Sequence, residues 1–236
     1  MFAKRGRTAP WFLPQGAPLV FPNPRHEKGF DGLVAVGGDL DAERLLLAYR
    51  LGIFPWFSEG TEILWWSPDP RTIIDLHAVH VSRSLKRRLA TGQFTYTFDS
   101  AFLEVMRACG DRSEGTWILP SMLAAYQSLH QLGHAHSFEV WSEGRLVGGL
   151  YGVCIGCAFA AESMFHSESD ASKAAMVVAI RSLRRLGITL FDVQYLTPHL
   201  ARMGAIEVSR NAYLERLESA QQSHVEFARL KLDWQD

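Results

Sequence analysis

SFEVWSEGRLVGGLYGVCIGCAFAAESMF, residues 137–165, decides the architecture. SFEVW and LVGGLYGV are apolar-rich runs joined by Ser142-Glu143-Gly144-Arg145, a hairpin signal. A second turn falls at Gly156, and a third strand runs on to end near Glu162. Upstream, FTYTF sets Phe94, Tyr96 and Phe98 against Thr95 and Thr97, the alternation of a half-buried strand. Residues 100–108 and 121–132 read as helices, the second with Met122, Tyr126 and Leu129 on one face. Downstream, Asp170 stands as the N-cap of a helix over 171–186 that turns Met176, Ile180 and Leu183 inward. ITLFDVQ is a strand, 197–203 a short helix, AIEV a last strand, and the tail after 209 is helical and then polar. Before all of these, RTIID is a strand and SRSLKRRLA a short helix.

The order is strand, two helices, three strands, helix, strand, helix, strand, which is a mixed α/β layer fold. It is similar to the element order of acyl-CoA N-acetyltransferases, the GNAT fold. The first seventy residues differ in texture. Five prolines between Pro10 and Pro24 enforce extended or irregular chain, and a helix capped by Asp41 and stopped by Gly52 follows. Trp56, Trp65 and Trp66 then fall in a Pro- and Gly-punctuated stretch, as a small core or a stacking surface. The expected division is a small N-terminal domain over 1–69 and a GNAT-like catalytic domain over 70–236.

Charge nearly cancels in the 236 residues, with 24 Lys and Arg against 25 Asp and Glu, and 47% of residues are apolar. That excludes a disordered chain and a protein that coats nucleic acid with its whole surface. Local patches remain. No acid lies between Asp75 and Asp99, where Arg83, Lys86, Arg87 and Arg88 stand. None lies between Asp170 and Asp192, where Arg181, Arg184 and Arg185 share a helix face. Two such blocks favour contact with a phosphate backbone. No apolar run approaches the ~18 residues that span a bilayer, and the N-terminus does not read as a signal peptide, so the expected location is the cytoplasm.

Three cysteines give no disulfide framework. Cys154 and Cys157 read as filler in buried strands rather than a redox pair, and the His134/His136 pair reads as structural. No G-x-S-x-G elbow, phosphate loop or dinucleotide fingerprint is present. Two strand ends stand out: Glu162, and the pair Asp192 and Gln194, which the alternation of a strand would turn to one face. Acids at the ends of buried strands often have tuned environments.

GLVAVGGDL, FPWF, WWSPDPR, HVSRSLKR, EGTWI, GHAHSFEVW, LVGGLYGV, ESMF, DASK, DVQ and TPHLARMGA together resemble the bacterial leucyl/phenylalanyl-tRNA–protein transferases, from about residue 30 to 214. The resemblance implies an aminoacyltransferase. It would move Leu or Phe from aminoacyl-tRNA to the α-amine of proteins beginning with Arg or Lys, creating an N-degron. No metal and no cofactor is expected, and the expected state is a monomer with no membrane partner. Carried over position by position, the resemblance makes Asp192 and Gln194 the catalytic pair and sets Glu162 to hold substrate in the active site. Phe159, Met164, Leu150, Ala179 and Leu183 become walls of the side-chain pocket. Trp56 and Trp117 take the terminal adenosine and the pocket mouth. Arg83, Lys86, Arg87 and Arg88 face the tRNA.

The chemistry agrees with these residue types. An aminoacyl ester is already activated, so no covalent nucleophile is needed. An α-amine with pKa about 7.7–8.0 is roughly a tenth neutral at pH 7, so positioning outweighs base catalysis. Gln194 then positions or relays, with Asp192 as the anion behind it. Departures also occur. His166-Ser167 follows ESMF where many relatives have Ser-Arg, and Ala179 and Leu183 stand where some are aromatic. The competing readings are an acyl-CoA N-acetyltransferase and a non-catalytic tRNA-end binding module. The first needs a Q/R-x-x-G-x-G/A loop where this chain has SESDASK, and the second needs neither Asp192 nor Gln194.

Overall fold

The computed structural model describes residues 9–26, 30–112 and 115–234. The basic N-terminus that was read against a signal peptide lies largely outside them, as does Glu114 of EGTWI.

The central three-strand run folds as the sequence implies. β7 (Ala135–Ser142), β8 (Arg145–Ile155) and β9 (Ala158–His166) form an antiparallel meander. Glu143 and Gly144 both take positive φ at the first turn, the backbone that suits a two-residue hairpin. β9 does not end at Glu162. It continues to His166, and Glu162 sits inside it.

Outward from the meander come β6 (Thr95–Phe98) on one edge and β10 (Leu190–Gln194), β5 (Arg71–Ile74) and β11 (Ala205–Val208) on the other. The seven-stranded order is β11-β5-β10-β9-β8-β7-β6. Within this sheet, among the described residues, only β9 and β10 pair in parallel, because α5 (Ala171–Leu186) crosses between them. Asp170 precedes α5 but does not cap it. Its backbone is left-handed, and its carboxylate pairs with Lys173 at 2.6 Å. The mixed α/β class and the element order are as expected.

Helices cover both faces of this sheet. α5 and α2 (Arg83–Ala90) pack on one face with Phe138, Val140, Leu150 and Phe159. α3 (Phe102–Gly110) and α4 (Pro120–Gln131) pack on the other with Tyr151 and Val153. The glycines of β8 permit the close approaches. A Cβ on Gly148 would come within 2.6 Å of Ala171 at the start of α5.

A second sheet is built from β1 (Trp11–Leu13), β2 (Leu33–Gly37), β4 (Leu64–Trp66) and β3 (Phe54–Pro55), in that order, beside α1 (Ala42–Arg50). Val34, Leu45 and Trp65 of this layer share one core with Val105, Met106 and Tyr126. The tryptophan cluster divides between its two readings. Trp65 is buried, its indole N–H donating to the Gly37 carbonyl at 2.9 Å, whereas Trp56 is 44% exposed. α6 (Pro198–Arg202) and α7 (Arg210–Ala220) complete the fold, α7 packing over Ile73 and Leu190.

Candidate active site

Backbone irregularity opens the site. β9 and β10 pair only as far as Ala160 opposite Asp192, then part. Each strand carries a bulge at that point. Against β8 the register skips Glu162, and against β5 it skips Val193. An extra residue bends its strand and re-aims the following side chain. The gap becomes a cavity of about 310 Å³. Leu150, Met164, Met176, Val193 and Leu200 supply apolar wall, Trp56, Trp117 and Tyr195 supply aromatic rings, and Glu162 and Gln194 supply the polar end.

The bulge at Val193 separates the two residues that simple alternation would pair on one face. Gln194 has φ 56° and lines the cavity. Asp192 is 1% exposed and does not line it. The Asp192 carboxylate turns to Arg71, which donates from Nε at 2.8 Å and from Nη2, while Tyr213 donates its hydroxyl at 3.0 Å. Asp192 Oδ1 also accepts the Gln194 backbone N–H at 3.0 Å, which holds the left-handed turn. Arg71 Nη2 also donates to the Tyr213 hydroxyl at 3.4 Å and Nη1 to the Gly52 carbonyl at 3.1 Å, and the guanidinium lies over the rings of Phe54 and Tyr213. Burial opposes the charge on Arg71, but its surroundings together, Asp192 foremost and Tyr213 after it, outweigh burial, so the guanidinium is held protonated more firmly than usual.

Glu162 has the opposite environment. Gln194 Nε2 donates to its Oε1 at 3.2 Å, and the Tyr126 hydroxyl donates to Oε2 at 3.5 Å. Tyr126 is in turn hydrogen-bonded to Tyr49. Burial pushes the Glu162 carboxyl up to about 8, and the Asp192 charge adds to the rise. The Tyr49 and Tyr126 hydroxyls and Arg71 offset part of it. Burial holds both tyrosines protonated, so they serve as donors.

Of the residues expected here, Trp56, Trp117, Leu150, Met164, Glu162 and Gln194 meet at the cavity. Phe159, Ala179 and Leu183 do not line it. Phe159 lies where β9 is still paired on both sides, packed against Phe138 and Phe191. Ala179 and Leu183 are buried further along α5, past Met176, the residue of that helix that reaches the cavity. On α2, Arg83, Lys86 and Arg87 are exposed. Arg88 instead lies over the Phe94 ring and reaches Glu168 at 3.5 Å.

Sequence reasoning missed Arg71, Tyr213, Tyr49, Tyr126, Tyr195 and Arg112. Arg71 closes WWSPDPR, so its place in a dense motif was a usable signal; the tyrosines carried none. Arg112 lines the cavity and donates to Ser163 Oγ at 2.9 Å. It supplies a cation beside ESMF. Tyr195 sets its ring 5.6 Å from that of Trp56, extending an aromatic shelf.

The cysteines are unpaired and buried, and burial pushes the Cys154 thiol up to about 12, which makes it a poor nucleophile. His136 is held by Asp99 at 2.7 Å and stacked on Phe227. Among the described residues, no His, Cys, Asp and Glu side chains are grouped to hold a metal ion, and no helix is long and apolar enough to cross a membrane.

Comparison with known proteins supplies the chemistry's context. Residues 73–218 match the family described as leucyl/phenylalanyl-tRNA protein transferase, and residues 38–69 match the N-terminal domain of that family. A leucyl/phenylalanyl-tRNA–protein transferase of Solidesulfovibrio magneticus is 52% identical over 207 residues, 86% of this chain and 83% of the relative. One from Syntrophotalea carbinolica is 54% identical over 207 residues, 86% of this chain and 89% of the relative. Solved structures resemble the chain only in part. FemX aligns with a TM-score of 0.42 at 13% identity, over 74% of this chain and 70% of FemX. A GCN5-related N-acetyltransferase-like protein from Streptococcus suis aligns at 0.34 and 10% identity, over 59% of this chain and 57% of that one.

Proposed function

Because the chain belongs to the leucyl/phenylalanyl-tRNA–protein transferase family and is an aminoacyltransferase, we propose that it carries Leu or Phe from aminoacyl-tRNA to the α-amine of proteins whose first residue is Arg or Lys. The product would begin with a residue that marks it for degradation, and the reaction belongs in the cytoplasm, where both substrates are made. The observation that carries this reading is the cavity itself, apolar along its walls and ending at Glu162 and Gln194.

The aminoacyl side chain enters the apolar part, where burying a Leu or Phe stabilises by about 1.5–3 kcal/mol. The terminal base lies on the shelf of Trp56 and Tyr195, a stacking contact of about 1–3 kcal/mol. The ester carbonyl is then presented at the polar end. There the acceptor nitrogen forms the new C–N bond, the ester C–O bond breaks, and the nitrogen's proton must reach the leaving ribose oxygen.

Glu162 suits that transfer. A carboxyl near 8 is matched to an α-ammonium near 7.7–8.0, so the proton moves with little cost in either direction. Gln194 orients the carboxylate through its amide, and Asp192 acts through Gln194 as a positioning residue rather than touching substrate. A division at 69/70 is supported by the change of sheet between β4 and β5.

The test uses labelled Leu-tRNA with one model protein beginning with Arg and another beginning with Gly. Label on the Arg protein alone is expected. No label, or equal label on both, overturns the reading. Acetyl-CoA offered as donor tests the acetyltransferase alternative.

A further inference from the structure

The two acid-free runs of the sequence converge in space. Lys86 from α2 and Arg181, Arg184 and Arg185 from α5 line one groove of about 860 Å³, apart from the aminoacyl cavity. Arg184 and Arg185 are exposed, and Asp233 is the one acid on the lining among the described residues. The chain's own residues 232–234 form part of the wall of this groove. The Asp233 carboxylate pairs with Arg185 at 3.2 Å, and its N–H donates to Ser182 Oγ at 2.9 Å. Arg181 donates to the Trp234 carbonyl at 3.3 Å, and the Trp234 ring leans on Tyr96 at 5.6 Å. The Asp233 carboxylate and the Trp234 carbonyl are therefore already seated on the guanidinium groups of Arg185 and Arg181.

Geometry links this groove to the cavity. Met176 lines the cavity and Arg184 stands eight residues along the same helix, about 12 Å at 1.5 Å per residue. A strand whose end is fixed in the cavity covers that distance with a few nucleotides. Arg181 and Arg185 are one turn apart, about 6 Å along the axis, which suits successive phosphates better than one compact anion. Their planar forks fit phosphate oxygens. They stand in the last turns of α5, where the helix dipole disfavours anions. Binding there is held in check by its own scaffold.

We propose that this groove takes the phosphodiester backbone of the aminoacyl-tRNA behind its esterified end, with residues 232–234, now part of its wall, as the segment that the RNA displaces. The proposal rests on the tRNA-dependent reading above. Displacing the segment offsets part of the contact energy, which favours release after each transfer.

The experiment measures anisotropy of labelled Leu-tRNA across a salt series. Arg184→Gln combined with Arg185→Gln removes two contacts and should flatten the slope of log K against log salt by about 1.4–1.8. The KM for tRNA should rise with it. Asp233→Asn should tighten binding. Arg184→Gln alone, at an exposed site, controls for folding; its melting temperature should equal that of the parent and its slope should fall by about half as much. An unchanged slope in the folded double variant overturns the proposal. So does weaker binding by Asp233→Asn, or displacement of the segment by polyglutamate but not by tRNA. If the parent protein itself fails to label the Arg-starting acceptor, the underlying reading fails instead.

Discussion

Replacing Glu162 by Gln should stabilise the fold while stopping the reaction, and the stabilisation should depend on pH in a defined direction. Gln is nearly isosteric: its oxygen keeps the Gln194 donor, and its NH2 can donate to the Tyr126 hydroxyl, whose proton then turns to Tyr49. The change removes only the ionisable proton. The Glu162 carboxyl rises from 4.5 to about 8 in the folded protein, chiefly through burial. A raised folded pKa contributes stability that is present below 4.5 and is lost as pH climbs through 8. At 1.36 kcal/mol per unit the ceiling is about 5 kcal/mol. Water reaches the cavity side of the carboxyl, so about 2 kcal/mol is expected, or about 4–8 °C in melting temperature for a chain of this size. Thermal melts from pH 5 to 9 read this directly. The two proteins should melt together near pH 5, and the variant should lead increasingly up to pH 8.5. A constant gap, or a parent protein that is the more stable at pH 8.5, would refute the account of Glu162 as a carboxyl whose ionisation the fold opposes.

Other outcomes follow from the same geometry. Arg71→Met strands the buried Asp192 carboxylate and should cost about 3–5 kcal/mol in denaturant melts; the Arg71→Met, Asp192→Asn pair should cost less than the sum of the singles. Asp192→Asn should lower kcat at least tenfold, about 1.4 kcal/mol, with little change in tRNA affinity; equal loss of both would make Asp192 merely structural. Gly152→Ala drives a methyl against the Ala160 carbonyl and to 2.6 Å from the Phe159 ring, beside the bulge at Glu162, and should destabilise by about 1–3 kcal/mol. Met176→Phe narrows the cavity and should cut transfer of Phe more than Leu, measured as the ratio of kcat/KM for the two aminoacyl-tRNAs.

The element order was legible because each element carries its own local signal. The Glu143-Gly144 turn, the alternating FTYTF strand and the helix stop at Gly52 are decided within a few residues. The site was half legible, for a physical reason. Glu162, Gln194, Trp56 and Trp117 meet because two strands bulge at matching depths, and a bulge leaves no mark in a periodicity that assumes two residues per repeat. The same assumption put Asp192 beside Gln194 on one face. Phe159, Ala179 and Leu183 have the composition of pocket walls, but the composition of a pocket wall and of a core is the same. Only the point at which β9 and β10 part distinguishes them. Arg71 pairs with a residue 121 positions away, a contact that no local pattern encodes.

That last contact also bears on synthesis. Arg71 binds the Gly52 carbonyl, Asp192 and the Tyr213 hydroxyl, so segments from the first and last thirds of the chain meet on one guanidinium. A chain emerging from the ribosome can close its hairpins and helices as they appear. It cannot neutralise Arg71 until β10 has been made, or complete the cluster until α7 follows. The bulge that aims Gln194 is tied to that cluster. The transferase should therefore gain its activity in one late step, after some nine-tenths of the chain has been translated, and no shorter nascent product should draw on the cell's charged tRNA.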